Sequence, residues 1–362
     1  MDIQTAKDEV IRTGRALVQT GLVARTWGNV SCRIDGRRFA VTPSGIGYER
    51  LTQDEIVVVD NETLAYEGEI RPSSESGIHA AVYRVDPDVN FVIHTHQVYA
   101  TCLSVAGFKT LAPTPAQQER LRTKIGLAGY GLPGSKKLRK AVMAAYAPDT
   151  RAVIMQRHGA LLAGKDRKEA FERAAFLEDV CRDAMREIAE AHERALLTPA
   201  LRVERGAGKA SPRALGIIAS EQEDFAVFSS LYETAFALHP GLRAVSLLIT
   251  PALRAQSAGR RRIPAILDDF AQIVGADANV TASHSPQKII SKREGRDAVF
   301  LAGKGVLCFA EDPYDLVAIQ ILCEKNALAW QHARRFGWVK ALSRRDRKIL
   351  RHWYVTRYAK KR

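Results

Sequence analysis

The sequence predicts an α/β protein built as two related halves. Three observations carry that expectation. Phe91-Val92-Ile93 and Ala152-Val153-Ile154-Met155 are short runs of β-branched, aromatic and other apolar residues, too brief for helices, and read as buried strands. From 168 to about 196, Ala170, Ala174, Leu177, Cys181, Ala184 and Ile188 form one apolar stripe on a long helix. The same succession of strand, turn and helix returns in the second half. Residues 239–249 parallel 86–96, residues 297–307 parallel 151–161, and a helix from about 313 to 332 follows. The chain has 362 residues, enough for two domains with a sizeable core in each. We expect a first domain over 1–198, a linker over 199–220 without apolar periodicity, and a second domain over 221–362.

The elements of the first half follow from pattern and punctuation. A moderately amphipathic helix is expected over 5–22, with Ala6, Val10, Leu17 and Val18 on one face. Gly28-Asn29-Val30-Ser31 opens a strand that turns at Asp35-Gly36, a hairpin signal, into Arg38-Phe39-Ala40-Val41. Thr42-Pro43-Ser44-Gly45 closes it. Glycines and small hydroxyl residues at strand ends expose backbone N–H groups that suit a phosphate or another oxyanion, although either motif by itself also reads as an ordinary turn. Another strand is expected over 56–60. Pro72-Ser73-Ser74-Glu75 leads into a helix over 76–85, which Pro87 stops. Residues 107–134 read as a long, partly irregular connection, and 135–146 as a short basic helix.

The chemistry concentrates at two strand ends. Side chains at i and i+2 of a strand share a face, so His94 and His96 can reach one metal ion together. His158 follows the second apolar run, and Glu75 stands upstream. Three imidazoles with an open fourth position make a catalytic rather than a structural zinc site. A His-x-His by itself also fits two ordinary core or surface histidines. Zinc is a Lewis acid toward a carbonyl oxygen, and a carboxylate beside it moves the proton at the adjacent carbon. Burial raises the pKa of such a carboxylate, whereas a neighbouring cation lowers it.

Taken in order, Gly28-Asn29-Val30-Ser31, Thr42-Pro43-Ser44-Gly45, Pro72-Ser73-Ser74-Glu75, His94-Thr95-His96 and His158-Gly159 resemble the class II aldolase/adducin family over about residues 1–195. The resemblance implies an α/β/α sandwich on a mostly antiparallel central sheet. It implies Zn²⁺ on His94, His96 and His158, phosphate contacts from Gly28, Asn29, Thr42, Gly45, Ser73 and Ser74, and Glu75 as catalytic acid/base. Family epimerases tend to carry Asp at that last place, so Glu75 favours an aldolase or related lyase. The family's aldolases also place a Tyr about twenty residues past the His-x-His as proton donor. Ala112-Pro113-Thr114-Pro115-Ala116-Gln117-Gln118 holds none; Tyr130 is nearest, and a Tyr of the C-terminal tail is the other candidate. In the second half Leu247 and Ile249 stand in place of the two strand histidines and Lys304 in place of His158, so a tandem copy that keeps the fold and has lost the metal is expected.

Composition bounds the partners. Hydrophobic content of 46% with 26% charged residues is globular, no apolar run crosses a bilayer, and the acidic N-terminal stretch lacks a signal peptide's core. The five cysteines form no Cys-x-x-Cys pair and read as reduced, so a cytoplasmic protein is expected. Net charge is +14, and ten Lys/Arg against one acid fall in 340–362. No recognition motif accompanies Trp353, Tyr354 and Tyr358, which speaks against specific nucleic-acid binding. Such a tail is also a solvated face or an electrostatic guide for anions. The first expectation is a zinc-dependent aldolase or lyase that cleaves or forms a C–C bond next to a carbonyl in a small, phosphorylated keto-sugar or sugar acid. The alternatives are an epimerase, dehydratase or decarboxylase on the same scaffold, or a non-catalytic adducin-like assembly protein. The family's sites lie between subunits of a four-fold ring, so a homo-oligomer is expected, a dimer supplying four domains or a higher form.

Overall fold

The computed structural model describes residues 1–23, 27–105, 111, 113–190, 225–335 and 339–358. The expected linker over 199–220 lies outside the described residues. The chain divides into two compact units, Met1–Glu187 and Ile188–Lys360. Among the described residues no helix is long and apolar enough to cross a membrane.

The first unit runs α1 (Ile3–Gln19), β1 (Asn29–Arg33), β2 (Arg38–Val41), β3 (Val57–Asp60), α2 (Ser76–Val85), β4 (Phe91–Thr95), α3 (Val98–Val105), α4 (Pro115–Leu121), β5 (Ile125–Ala128), α5 (Lys136–Ala145), β6 (Ala152–Met155), β7 (Gly159–Gly164) and α6 (Arg167–Glu190). Its seven strands lie in the order β3-β2-β1-β4-β7-β6-β5. Only β5 and β6 run parallel, so the sheet is mostly antiparallel as expected. One core unites Val92, Val153, Met155, Leu161 and Ala163 of the sheet with Ile78 and Val82 of α2 and Leu138 and Val142 of α5. By strand alternation His94 continues the row of Val92, on the face that α2 covers.

The connection over 107–134 holds more structure than its composition suggests, since both α4 and β5 lie in it. Thr114 and Gln117 form a capping box with Pro115 at the first helical position, a helix start signal that the sequence itself carries. Gly126 hides the strand. A Cβ there would run into the Ala145 carbonyl oxygen at the end of α5, so this glycine answers to close packing rather than to a turn.

The second unit runs α7 (Phe225–Leu238), β8 (Ala244–Leu248), α8 (Pro251–Ser257), β9 (Arg262–Pro264), α9 (Asp268–Ile273), β10 (Asp277–Thr281), α10 (Pro286–Ser291), β11 (Ala298–Leu301), β12 (Gly305–Ala310), α11 (Pro313–Arg335) and α12 (Arg344–Trp353). Its sheet order β8-β12-β11-β10-β9 repeats β4-β7-β6-β5 and adds β9 at the edge. The register repeats as well: His94 faces Leu161 across β4 and β7, and Leu247 faces Leu307 across β8 and β12. The turns agree in detail. His158 N–H donates to Met155 O at 3.1 Å and Lys304 N–H to Leu301 O at 3.0 Å, while Arg157 N–H donates to Ser104 Oγ and Gly303 N–H to Ser257 Oγ. Leu247 packs into a core with Leu231 and Ala235 of α7, so an alkyl side chain fills the place that a histidine takes in the first unit. The second unit has no counterpart of β1–β3 among the described residues. The tail helix α12 docks on α9 of its own unit, where Arg351 donates to the Gln272 and Ile273 carbonyls and Arg347 to Ala276 O. Those bonds satisfy carbonyls at a helix end and oppose the negative end of its dipole.

Glu324 on α11 gives the second unit a pH dependence. It is 7% exposed and its Oε2 accepts the Thr250 hydroxyl at 2.5 Å. Burial pushes its carboxyl up from 4.5 to about 7, against the pull of the Thr250 bond. A carboxyl whose pKa is higher folded than unfolded contributes stability that is complete below pH 4.5 and lost as pH rises through 7, about 3 kcal/mol in all. Guanidinium melts of the full chain should therefore show Glu324→Gln gaining on the wild type between about pH 5 and pH 7.5. A difference between the two proteins that stays constant over that range would rule this out.

Candidate metal centre

Four elements meet at the C-terminal end of β4. Asn29 of β1 lies in register with His94, which faces Leu161 of β7 on its other side. His96 follows one residue beyond β4, and His158 closes the turn between β6 and β7. Glu75 stands immediately before α2. Close approach explains two glycines. Gly28 takes φ +76°, and a Cβ there would meet the His94 carbonyl oxygen; a Cβ on Gly159 would meet the Thr95 carbonyl oxygen. Arg157 takes the same left-handed conformation at φ +66° that Gly303 takes at φ +67° in the second unit. The first unit thus holds a non-glycine in a strained position beside His158, whereas the second unit, with Lys304 in place of that histidine, has glycine there.

The three imidazoles converge through Nε2. His94 Nε2 lies 3.1 Å from His96 Nε2 and 2.9 Å from His158 Nε2. Three nitrogens bound tetrahedrally to one zinc ion at about 2.0–2.1 Å stand about 3.3 Å apart, close to this spacing. His94 Nδ1–H donates to the Ala160 carbonyl oxygen at 2.9 Å, which leaves Nε2 with its lone pair. That lone pair faces Glu75 Oε2 at 3.1 Å. Two acceptors so placed repel unless a cation lies among them. The donor set therefore fits a divalent ion, and His94, His96 and His158 form a metal site.

Glu75 is held from several sides. It is 6% exposed, its Oε2 accepts Asn29 Nδ2–H at 3.2 Å, its Oε1 accepts Gly134 N–H at 3.4 Å, and Oε1 lies 3.6 Å from His158 Nε2. Burial works to raise its pKa, and protonated imidazoles at His158 and His94 pull the carboxyl well below the usual range. A bound cation acts in the same direction.

The expected phosphate residues gather around the same end of the sheet. Thr42 Oγ1 accepts Val30 N–H at 3.2 Å, Ser73 Oγ accepts Glu75 N–H at 3.3 Å, Ser73 N–H donates to Thr42 O at 3.0 Å, and Gly45 takes φ +83°. Ser74 is exposed, beside Gly134. Tyr130 N–H donates to Gln156 Oε1 at 3.1 Å, which brings that residue to the turn before His158. Sequence reasoning passes over a buried chain beneath the site: Ser31 Oγ lies 2.6 Å from His79 Nδ1 and 2.7 Å from the Tyr83 hydroxyl. Burial first, then His94, pushes the His79 pKa down to about 3, so this imidazole is neutral under ordinary conditions. The signal is its spacing, four residues after Glu75 and so one turn into α2.

The family model of the Class II Aldolase and Adducin N-terminal domain matches residues 8–185. L-ribulose-5-phosphate 4-epimerase UlaF of Salmonella paratyphi B is 33% identical over an alignment of 194 residues that covers 50% of this chain and 85% of that protein. The chain belongs to the class II aldolase and adducin family. Among solved structures, an L-fuculose 1-phosphate aldolase is similar at 30% identity, with 54% of this chain and 91% of that one covered and a TM-score of 0.47. The l-fuculose-1-phosphate aldolase of Thermus thermophilus gives 26% identity, 52% and 97% coverage, and a TM-score of 0.44. The first unit is thus the class II aldolase unit of the chain, and its histidine triad is the family's kind of divalent-metal site.

Proposed function

We propose that the class II aldolase unit is a zinc-dependent lyase that cleaves or forms a carbon–carbon bond next to the carbonyl of a small phosphorylated keto-sugar or sugar acid. One observation carries this reading: a buried carboxylate, Glu75, faces three convergent imidazoles, 3.1 Å from His94 Nε2. When bound, the zinc ion supplies a Lewis acid for carbonyl and hydroxyl oxygens. Glu75 moves the proton at the carbon beside that carbonyl. Asn29 Nδ2–H and Gly134 N–H fix its two oxygens, so the carboxylate stays aimed. Gly28, Thr42, Gly45, Ser73 and Ser74, with Asn29, are the proposed cradle for the phosphate, and the start of α2 adds the positive end of a helix dipole there.

The relationship to UlaF supports a second reading, a 4-epimerase. The carbonyl at C2 of a ketose acidifies no proton at C4. The same residues therefore invert C4 by breaking the C3–C4 bond and rejoining it from the other face. The two readings separate by product. Zinc-loaded protein is incubated with L-fuculose 1-phosphate and L-ribulose 5-phosphate. Lyase activity releases dihydroxyacetone phosphate from the first, read by coupled NADH oxidation. Epimerase activity converts the second into its C4 epimer with no fragment released. If neither reaction occurs, nor any turnover across a panel of sugar phosphates and sugar acids, the unit is an adducin-like assembly module and both readings fall.

A further inference from the structure

The second unit, which has no histidine triad among its described residues, carries a pocket of about 230 Å³ where two arginines share one indole. Trp330 and Arg334 stand one turn apart on α11, and Arg260 reaches the same ring from the segment after α8. The Arg260 guanidinium carbon lies 4.5 Å from the Trp330 ring centroid and that of Arg334 lies 5.3 Å away. An indole attracts cations through its face but carries no net charge. Arg262, Arg293, Arg296 and Arg351 of the same unit all pair with carboxylates. Among the described residues no carboxylate pairs with Arg260 or Arg334. Burial and the charge of Arg334 both push the Arg260 pKa down, as expected for a cation crowded by its like.

The rest of the lining includes Pro264, Ile266 and Val339, all apolar. In the first unit, the sequence offset that matches β7 to β12 and the start of α6 to that of α11 sets Ala184 and Ile188 opposite Trp330 and Arg334, so the arginine and indole belong to the second unit. A guanidinium offers parallel N–H donors that match the paired oxygens of a phosphate or carboxylate. We propose that this pocket binds a small organic anion, with its phosphate or carboxylate group held by Arg260 and Arg334 and its apolar part against Pro264, Ile266 and Val339. The volume corresponds to roughly eight waters at about 30 Å³ each, room for a small anionic group and a short apolar part.

The test is calorimetric titration of full-length, metal-loaded protein with phenyl phosphate at fixed ionic strength, with inorganic phosphate and benzoate as parallel arms. Wild type should show a saturable site on the second unit. Arg260→Gln and Arg334→Gln should each weaken it roughly tenfold and the double variant more, with metal content unchanged. His94→Ala should leave the site intact. A phosphate ligand is indicated if phenyl phosphate outcompetes benzoate, a carboxylate ligand by the reverse. Should a glutamine variant fail to fold, Arg260→Lys keeps the cation without the fork and should still weaken binding several-fold. Equal affinity in wild type and the folded variants overturns the proposal. So does the absence of any saturable binding, its loss in His94→Ala alone, or binding confined to an oligonucleotide that phenyl phosphate does not displace.

Discussion

Replacing His94 with alanine is expected to remove the metal and the turnover together. His94 is 1% exposed, hydrogen-bonded through Nδ1 to Ala160 O and within 3.1 Å of both other imidazoles and of Glu75. The bond from Nδ1 to Ala160 O fixes the His94 tautomer, so loss of this side chain removes a preorganised ligand. Without the ion the reaction loses several kcal/mol of charge stabilisation, about a thousandfold or more in rate. Metal content of the purified protein, measured beside turnover, checks the expectation, and a His94→Ala protein that keeps one tightly bound ion refutes it. Misfolding is separable from metal loss because the chain holds its own control. Leu247 occupies the equivalent register position in the second unit and packs well there. His94→Leu should therefore fold, bind no metal and be inactive.

The same comparison shows how much of the molecule can be read from its sequence. The two halves are legible because strand periodicity, Pro and Gly punctuation and the turn before each second strand survive the loss of the histidines. The histidine cluster is legible because an i, i+2 pair at a strand end, His94 on β4 and His96 just past it, leaves little freedom in where two side chains point. Elements set by contact with distant chain are harder to read. β5 reads Ile125-Gly126-Leu127-Ala128, and its glycine is explained only by the carbonyl of Ala145. β9 has three residues and exists because β10 offers it an edge.

At the site itself, sequence finds residue types and misses their partners. Gly28 reads from sequence as part of an anion motif. The structure adds that its φ and its approach to His94 also demand glycine. Thr42 and Ser73 each accept a backbone N–H, so part of their hydrogen-bonding capacity is spent on the frame around Glu75. His79 is passed over as a site neighbour, despite its spacing from Glu75, because one histidine inside an amphipathic helix reads as core, which by burial it is.

Glu75→Gln is the second large effect, and it separates chemistry from metal binding. The carboxylate lies against His94 Nε2 and His158 Nε2 and receives hydrogen bonds from Asn29 and Gly134. Positive charge at the triad, which a bound ion supplies, outweighs the effect of burial and favours the ionised form that a base requires. Glutamine keeps the shape and the oxygen that can accept one of those bonds, but it cannot take up a proton. The fold and most of the metal should therefore persist while turnover falls by roughly 10²–10⁴. A purely structural role predicts lost stability or lost metal instead. Solvent deuterium exchange at the carbon beside the substrate carbonyl distinguishes the cases, since it reports the proton transfer and not the bond cleavage. The variant should bind substrate with little change in KM and lose that exchange in step with kcat. Near-normal kcat, or normal exchange in a metal-replete Glu75→Gln protein, would remove Glu75 from the proton's path and leave it a wall of the site.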